Sequence, residues 1–367
     1  MTDGVVAGRD GDETLAVYER RAADWRDRRR PVHRDEAEVF AGRALPDRPV
    51  VDLGCGPGWY SSGLGDAVVA LDAARAMLDL VEKEAPGAWR VQADLGALPF
   101  GRGTIGGAWA SRSYVHLARR DLPLALADLH RSMAVGAPLH LHVFAGELEH
   151  GPVERDDFAG RRFSAWPPAQ LADVVIGAGF AIDELRAPDP DAPARLEPLV
   201  IEATRDRTLP DTVGPGMRLL ICGLNPSVYS ADVGIGFGRA GNRYWAAAIE
   251  AELVSRDRDT RSALVDHGIG MTDLVKRATP KASDMSTAEY RNGLARVTRL
   301  VEWLQPGAVC FVGLAGWRAA VDRKAVAGEQ PQRLGDRPVY VMPSTSGLNA
   351  ATSLTTLADH LRAAAGR

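Results

Sequence analysis

At 367 residues, with 46% hydrophobic and 25% charged side chains, the chain has the composition of a globular protein and the length for two ordinary domains. No apolar run approaches the roughly 20 residues that a bilayer span requires, so no membrane partner is expected. Three scattered cysteines (Cys55, Cys222, Cys310) exclude a disulfide framework or a cysteine-built zinc site; no metal and a reducing, cytoplasmic setting are expected. The net charge of −4 argues against a broad nucleic-acid-binding face, yet it is unevenly spread. Residues 217–367 hold 19 Lys and Arg against 14 Asp and Glu, and residues 1–216 hold 25 against 34. The first part would be repelled by phosphates, whereas the second could meet them through locally placed cations.

In chain order, residues 1–12 are acidic and polar, and read as a flexible tail rather than a signal peptide. Residues 13–40 carry a charged helical pattern, with Tyr18, Ala22 and Trp25 on one side and the arginines of 26–30 on a solvated face. A short strand, Val50-Val51-Asp52-Leu53, then runs into Gly54-Cys55-Gly56-Pro57-Gly58, a turn that lets the backbone close on a nucleotide-like ligand, and a helix is expected at 59–64. The next strand ends at Asp72, 18 residues after Gly54, close to the roughly 20-residue spacing at which an acid meets ribose hydroxyls. Asp94 follows a third strand at 89–92. A fourth strand at 106–111 ends at Ser111 and leads to Tyr114 and His116. A helix at 124–133, a strand at 139–144 and a final strand at 197–203 complete this part, and 204–216 is rich in Asp, Pro and Gly like a linker.

These words resemble the class I S-adenosylmethionine-dependent methyltransferases. The resemblance implies S-adenosyl-L-methionine as cofactor, held by Tyr18, Asp52, Gly54, Gly56, Gly58, Asp72, Asp94 and Ser111. Tyr114 and His116 would lie on the methyl-acceptor side. The turn lacks the G-x-G-x-x-G spacing of dinucleotide sites. The region also lacks the N/D-P-P-Y/F and Pro-Cys words of DNA methyltransferases, so the acceptor is left unnamed.

The second part opens with an apolar strand, Met217-Arg218-Leu219-Leu220-Ile221, that ends at Gly223-Leu224-Asn225-Pro226-Ser227. Gly223 permits close approach of a ligand, Pro226 fixes φ, and Asn225 presents an amide at the carboxyl end of a strand, where open α/β sheets bind ligands. Phe237 offers an aromatic face among Gly234, Gly236, Gly238 and Gly241, and Asn242-Arg243-Tyr244-Trp245 follows. Further on come Gly270-Met271-Thr272-Asp273-Leu274-Val275-Lys276-Arg277, an amphipathic helix at 286–304, a buried strand at 307–313, and a last strand at 339–342. That strand runs into Ser344-Thr345-Ser346-Gly347-Leu348-Asn349, and a helix at 352–365 closes the chain.

From about residue 206 onward these words resemble the mismatch-specific uracil-DNA glycosylases of the Mug and thymine-DNA-glycosylase type. The resemblance implies base excision from double-stranded DNA carrying a mismatched or damaged pyrimidine. Asn225 would position the water, and Gly223, Leu224, Ser227, Phe237 and Asn242 would line the base pocket. Arg243, Lys276, Arg277, Ser344, Ser346, Gly347, Leu348 and Asn349 would face the DNA. The chain departs from that pattern at Ser227, where the family's turn has glycine, and at Thr345, where its loop has proline.

The fold expected is α/β: two three-layer Rossmann-like domains, a class I methyltransferase fold at 13–205 followed by a uracil-DNA-glycosylase-like fold at 206–367. The function expected is a mismatch uracil/thymine-DNA glycosylase of base-excision repair joined to a methyltransferase of unknown acceptor. The alternatives are a small-molecule or nucleoside methyltransferase with a repurposed glycosylase-like half, and a non-enzymatic cofactor-sensing first half.

Overall fold

A computed structural model describes residues 12–32, 34–154, 156–189, 196–281 and 284–366. The tail expected at 1–12 lies outside these except for Asp12, which opens the first helix. The chain forms two compact units: one runs to Ala172 and includes Phe180–Arg205, the other holds Asp173–Gly179 and Asp206–Arg367.

The first unit opens with helices α1 (Asp12–Arg28) and α2 (Arg34–Ala41). They divide the continuous helix expected from the sequence, and Pro31 between them has no N–H with which to carry the hydrogen-bond ladder on. Then come β1 (Val50–Leu53), β2 (Val68–Asp72), α3 (Arg75–Glu84), β3 (Trp89–Gln92), β4 (Gly107–Ser111), α4 (Leu122–Ser132), β5 (Pro138–Ala145), β6 (Ala165–Trp166), α5 (Pro168–Gly177, which from Asp173 onward belongs to the other unit), β7 (Phe180–Arg186) and β8 (Glu197–Arg205). The sheet order is β3-β2-β1-β4-β5-β8-β7, with β6 paired to β5. Strands β3 to β5 along that path are parallel, while β8 runs antiparallel to both β5 and β7. The central strands are covered on both faces, with Val51, Leu53, Leu71, Ala108, Leu139 and Leu141 all buried. Strand β7 was not visible in the sequence, since Phe180-Ala181-Ile182-Asp183-Glu184-Leu185-Arg186 sits near the sheet's edge and exposes most of its side chains. The helix expected at 59–64 is only a 3₁₀ turn, Ser61–Gly63; glycines at 58, 63 and 65 leave too little helix-forming chain before β2.

The second unit contains β9 (Leu219–Gly223), α6 (Val228–Val233), α7 (Tyr244–Glu250), α8 (Thr260–His267), β10 (Ile269–Asp273), α9 (Thr287–Leu304), β11 (Val309–Val312), α10 (Leu314–Ala320), β12 (Gly328–Leu334), β13 (Arg337–Met342) and α11 (Leu354–Ala364). Its five-stranded sheet has the order β10-β9-β11-β13-β12, parallel except for the β12–β13 hairpin. A core cluster joins Leu219 and Ile221 to Tyr244, Trp245, Ala248, Met342, Leu357 and Leu361. Helix α9 starts with a capping box, Ser286 and Glu289 bonding each other's backbone N–H. Strand β12 escaped the sequence reading because it is polar and contains Pro331, which a strand tolerates only at an edge. Among the described residues no helix is long and apolar enough to cross a membrane.

Residues 206–216 are not a free linker. Thr208, Leu209, Asp211 and Val213 are buried, and Thr212 bridges to Met271. Asp211 accepts hydrogen bonds from Arg296 Nη1 (2.7 Å), Lys276 Nζ (2.8 Å) and Thr272 Oγ1 (2.8 Å). Burial would push its carboxyl up, but the two cations outweigh that and hold it below the usual carboxylate range. Asp211→Ala strands two buried cations and is expected to destabilise the second unit by about 3–5 kcal/mol in denaturant unfolding. The sign with pH follows from the depressed folded pKa: the contribution is present above about pH 4 and is lost as acid titrates the folded carboxyl below it. Wild type and Asp211→Ala should therefore converge in stability on acidification.

Candidate functional site

In the first unit the carboxyl ends of β1, β2 and β4 converge on the glycine turn. Gly54, Gly56 and Gly58 have φ of 66°, 54° and 90°, values that strain any residue with a Cβ. A Cβ on Gly54 would lie 2.3 Å from Ser113 Cβ, so the turn is packed to its backbone. Asp72 fastens it: Oδ2 accepts from Gly56 N (2.9 Å) and Oδ1 from Ala74 N (2.8 Å). Burial lifts the Asp72 carboxyl to about 6 against the pull of those N–H groups. Asp94 Oδ1 accepts from Gly96 N (2.7 Å) at an exposed turn. Trp25 stacks on Trp59 with centroids 5.0 Å apart and comes 3.8 Å from where a Gly56 Cβ would be, so α1 reaches over the turn.

Other expected residues are occupied differently. Asp52 is buried inside β1 and accepts from Ser61 Oγ (2.6 Å); it braces the turn from within the core rather than facing a ligand. Tyr114 is buried, and among the described residues its hydroxyl has no hydrogen-bond partner. Ser111 ends β4 and is half-buried. Tyr18, His116 and Arg161 form a directional chain. Arg161 donates to the Tyr18 oxygen (3.0 Å), the Tyr18 hydroxyl meets His116 Nε2 (2.8 Å), and His116 Nδ1 meets Arg162 O (2.8 Å). Because a carbonyl only accepts, Nδ1 carries the proton and Nε2 takes Tyr18's. Burial pulls His116 down to about 4, so both ring nitrogens are committed and the imidazole stays neutral.

In the second unit the site is built where β9 and β10 end together. Gly223 and Asp273 are registered partners, and the pairing continues through Leu274 N to Gly223 O (2.8 Å) and Val275 N to Leu224 O (3.0 Å). Asn225 then leaves the sheet, and its Nδ2 donates to Thr279 Oγ1 (2.8 Å), Arg277 O (3.0 Å) and Pro226 O (3.1 Å). Two of those partners are carbonyls that can only accept, so the NH₂ must face them and Oδ1 is turned the other way as an acceptor. Ser227 caps α6 by accepting from Ser230 N (3.1 Å). The hydroxyl that departs from the family's turn is thus used by the backbone. Phe237 has φ 54° and stacks on Tyr244 at 4.4 Å; Tyr244 packs on Trp245, whose Nε1 donates to Gly236 O (2.8 Å). Phe237 Cζ and Asp273 Oδ1 both lie against Gly223, 3.5 and 2.4 Å from where its Cβ would be. A Cβ at 223 would collide with the Asp273 carboxyl and touch the edge of the Phe237 ring.

The cations expected on DNA are mostly committed within the fold. Lys276 is bound to buried Asp211 with a side chain only 11% exposed, which removes it from the surface. Arg243 donates to Thr352 O (2.5 Å) and Asn349 O (2.6 Å), stapling the 344–352 loop from below. Arg277 is exposed and paired with Glu289 at 2.7 Å. Asn242 Oδ1 accepts from Tyr244 N (2.9 Å) just before α7. The 344–349 loop is held by its own polar groups: Ser344 Oγ accepts from Ser346 N, Ser346 Oγ from Leu348 N, and Asn349 Nδ2 donates to Ser344 O (2.8 Å). Gly347 packs on Gly241 O, and Leu348 stands 96% exposed at the tip. Sequence reasoning missed Thr279 and Asp273; both lie in the word 270–279, but only the pairing of β10 with β9 brings them to Asn225 and Gly223.

Residues 210–365 match the uracil DNA glycosylase superfamily, and residues 50–136 match a methyltransferase domain. The chain joins a methyltransferase domain to a domain of that superfamily. Among solved structures it is similar to a SAM-dependent methyltransferase from Methanosarcina mazei (17% identity, TM-score 0.40, covering 46% of this chain and 97% of that one). It is also similar to the Burkholderia thailandensis 1,6-didemethyltoxoflavin-N1-methyltransferase bound to 1,6-didemethyltoxoflavin and S-adenosylhomocysteine (19%, 0.41, 56% and 93%). A third is the S-adenosylmethionine dependent methyltransferase from Mesorhizobium loti (19%, 0.37, 47% and 96%).

Burial lifts Asp52 to about 7, with Ser61 opposing and Asp72 adding. A raised folded pKa makes the acid's contribution fullest below about pH 4, and it declines as pH rises through about 7. Asp52→Asn removes that dependence. At pH 8 the variant should be more stable than wild type, by on the order of 1–4 kcal/mol in denaturant unfolding, with the gap closing toward pH 4.

Proposed function

We propose that the second unit hydrolyses the N-glycosidic bond of a pyrimidine flipped out of duplex DNA, with mismatched uracil or thymine as the substrate class, as an enzyme of base-excision repair. The observation that carries this is the fixed amide of Asn225, its NH₂ held by Thr279 and Arg277 O and its Oδ1 left to accept from a water. An amide is too weak a base to deprotonate water, so it positions the water against the anomeric carbon. Phe237, backed by Tyr244, stacks the extruded base across Gly223. Leu348 enters the stack in place of the flipped nucleotide, carried on a loop that Arg243 and Asn349 hold in shape. With Lys276 and Arg243 committed internally, exposed Arg277 is the phosphate contact, exchanging its pairing with Glu289 for a phosphate.

The first unit is proposed to bind S-adenosyl-L-methionine, which supplies an electrophilic methyl group. The residues fit such a ligand: a glycine turn in left-handed φ, closely packed at Gly54, and two buried polar atoms beside it, Ser113 Oγ and Trp25 Nε1, with no partner among the described residues. Gly54, Gly56 and Gly58 would hold the amino-acid portion, Asp72 would offer its remaining lone pairs to ribose hydroxyls, and Asp94 would meet the adenine. Trp25 covers the turn. Methyl transfer needs chiefly in-line placement, and the acceptor is not assigned.

Single-turnover cleavage of a duplex carrying one G·U mismatch tests the glycosylase. Wild type should leave an abasic site, and Asn225→Ala should do so at least ~100-fold more slowly, as for loss of a water-positioning group. Thr279→Val, which only loosens the amide, should cost about 10-fold. Wild type that leaves G·U, G·T and single-stranded uracil intact would overturn the reading. For the first unit, equilibrium dialysis should show S-adenosylmethionine binding that Asp72→Ala weakens at least ~10-fold, on the order of one or two lost hydrogen bonds.

A further inference from the structure

On the reading of the first unit as an S-adenosylmethionine-dependent methyltransferase, we propose that Arg112 anchors the methyl acceptor. The acceptor is a small molecule with an anionic oxygen group, carboxylate or phosphate, and the Arg112 guanidinium binds that group. The placement comes first. Arg112 directly follows β4, at the carboxyl end of the sheet, and the next residue, Ser113, lies against Gly54 of the glycine turn. The backbone at this point is strained. Arg112 has φ 58°, a left-handed value that residues other than glycine adopt rarely and at a cost, and its N–H is tied to His142 O on β5 (2.8 Å).

Strand β5 also aims the side chain. Arg112 Nε donates to His142 Nε2 (3.4 Å), and Cζ stands 5.9 Å from the centre of the Phe144 ring. The terminal nitrogens Nη1 and Nη2 have no hydrogen-bond partner among the described residues, and no carboxylate pairs with them. Other arginines of this unit are spent on acids: Arg29 on Asp157 (2.9 Å), Arg119 on Glu149 (2.7 Å) and Arg161 on Asp156. The Tyr60 hydroxyl is donated to Val32 O (2.8 Å). Desolvation pulls the Arg112 guanidinium below its ordinary value; Tyr60 opposes that pull and Arg29 adds to it. A cation in that setting gains more from an incoming anion than one already paired.

The anion is a group on a small molecule rather than a nucleic-acid backbone. Residues 1–216 carry 25 Lys and Arg against 34 Asp and Glu, a balance that repels a polyanion and admits a small anion only at a locally placed cation. The planar guanidinium fork suits carboxylate and phosphate alike, since each accepts two parallel N–H bonds.

The test is titration calorimetry on the full chain saturated with S-adenosylhomocysteine, with benzoate, phenyl phosphate and neutral benzamide as probes. Wild type should bind at least one of the anions at millimolar concentration and ignore benzamide, and the tighter of the two tells carboxylate from phosphate. Arg112→Gln should weaken that anion at least ~10-fold, as for loss of a charge-assisted hydrogen bond, with Arg112→Lys falling between. Arg112→Gly relieves the left-handed backbone, so it should unfold no more readily than wild type and still lose the anion at least ~10-fold, which separates binding from a structural role. S-adenosylmethionine binding in equilibrium dialysis should stay at the wild-type level in every variant. Wild type that binds neither anion, or Arg112→Gln that binds them as wild type does, overturns the assignment. So does an equal loss of S-adenosylmethionine binding in Arg112→Gln, which gives Arg112 to the carboxylate of the cofactor. Wild type that does not bind S-adenosylmethionine overturns the methyltransferase reading itself.

Discussion

The second unit depends on one buried carboxylate. Asp211 draws Arg296 and Lys276 inward and, through Thr272, ties them to β10. Arg296 also holds Asp273 O, fixing the carboxyl end of that strand. From there the chain pairs along Gly223 and Leu224 and arrives at Thr279 and Arg277 O, which hold the Asn225 amide. A charge placed in the core for folding thereby sets the orientation of a side chain at the surface end of the sheet. Removing two cations from solvent is unfavourable on its own, and the arrangement persists because Asp211 satisfies both with direct hydrogen bonds.

The first unit uses buried acids in a related way. Asp52 sits under the glycine turn and Asp72 beside it, each accepting hydrogen bonds that fix local geometry, and burial lifts both carboxyls. The turn can approach a ligand closely because its glycines adopt left-handed φ. It keeps that shape because Asp72 bonds Gly56 and Ala74 across it. The Arg161–Tyr18–His116 chain shows the complementary case: a histidine at the end of a methyltransferase-type sheet whose nitrogens are both committed to structure.

Much of the fold was legible residue by residue. The apolar runs of β1, β2, β4, β5, β9, β11 and β13 announce buried parallel strands, and the capping box of α9 announces its start. Elements at the edges were not: β7 and β12 are polar because one side of each faces solvent, so period and hydrophobicity fade there. The region after Gly58 read as a helix and is a 3₁₀ turn, since glycine spacing outweighed the family pattern. Among candidate site residues, Lys276 and Asp52 had the right chemistry in the right words but are spent on Asp211 and Ser61, a matter of side-chain direction that a one-dimensional pattern does not carry.

The sequence by itself determined that this chain holds two α/β units, where each glycine turn lies, and that Asn225, Gly54, Gly56 and Asp72 stand at strand ends. Those features are local, governed by periodicity, turn chemistry and spacing within a few tens of residues. Only the tertiary structure decided which polar groups remain for a ligand. Pairing β9 with β10 brings Asp273 and Thr279 beside Gly223 and Asn225 across some 50 positions of chain, and burial of Asp211 withdraws Lys276 from the surface. Hydrogen bonding and desolvation act through space, so the same residue type becomes a clamp, a cap or a reactive group according to what the fold packs against it.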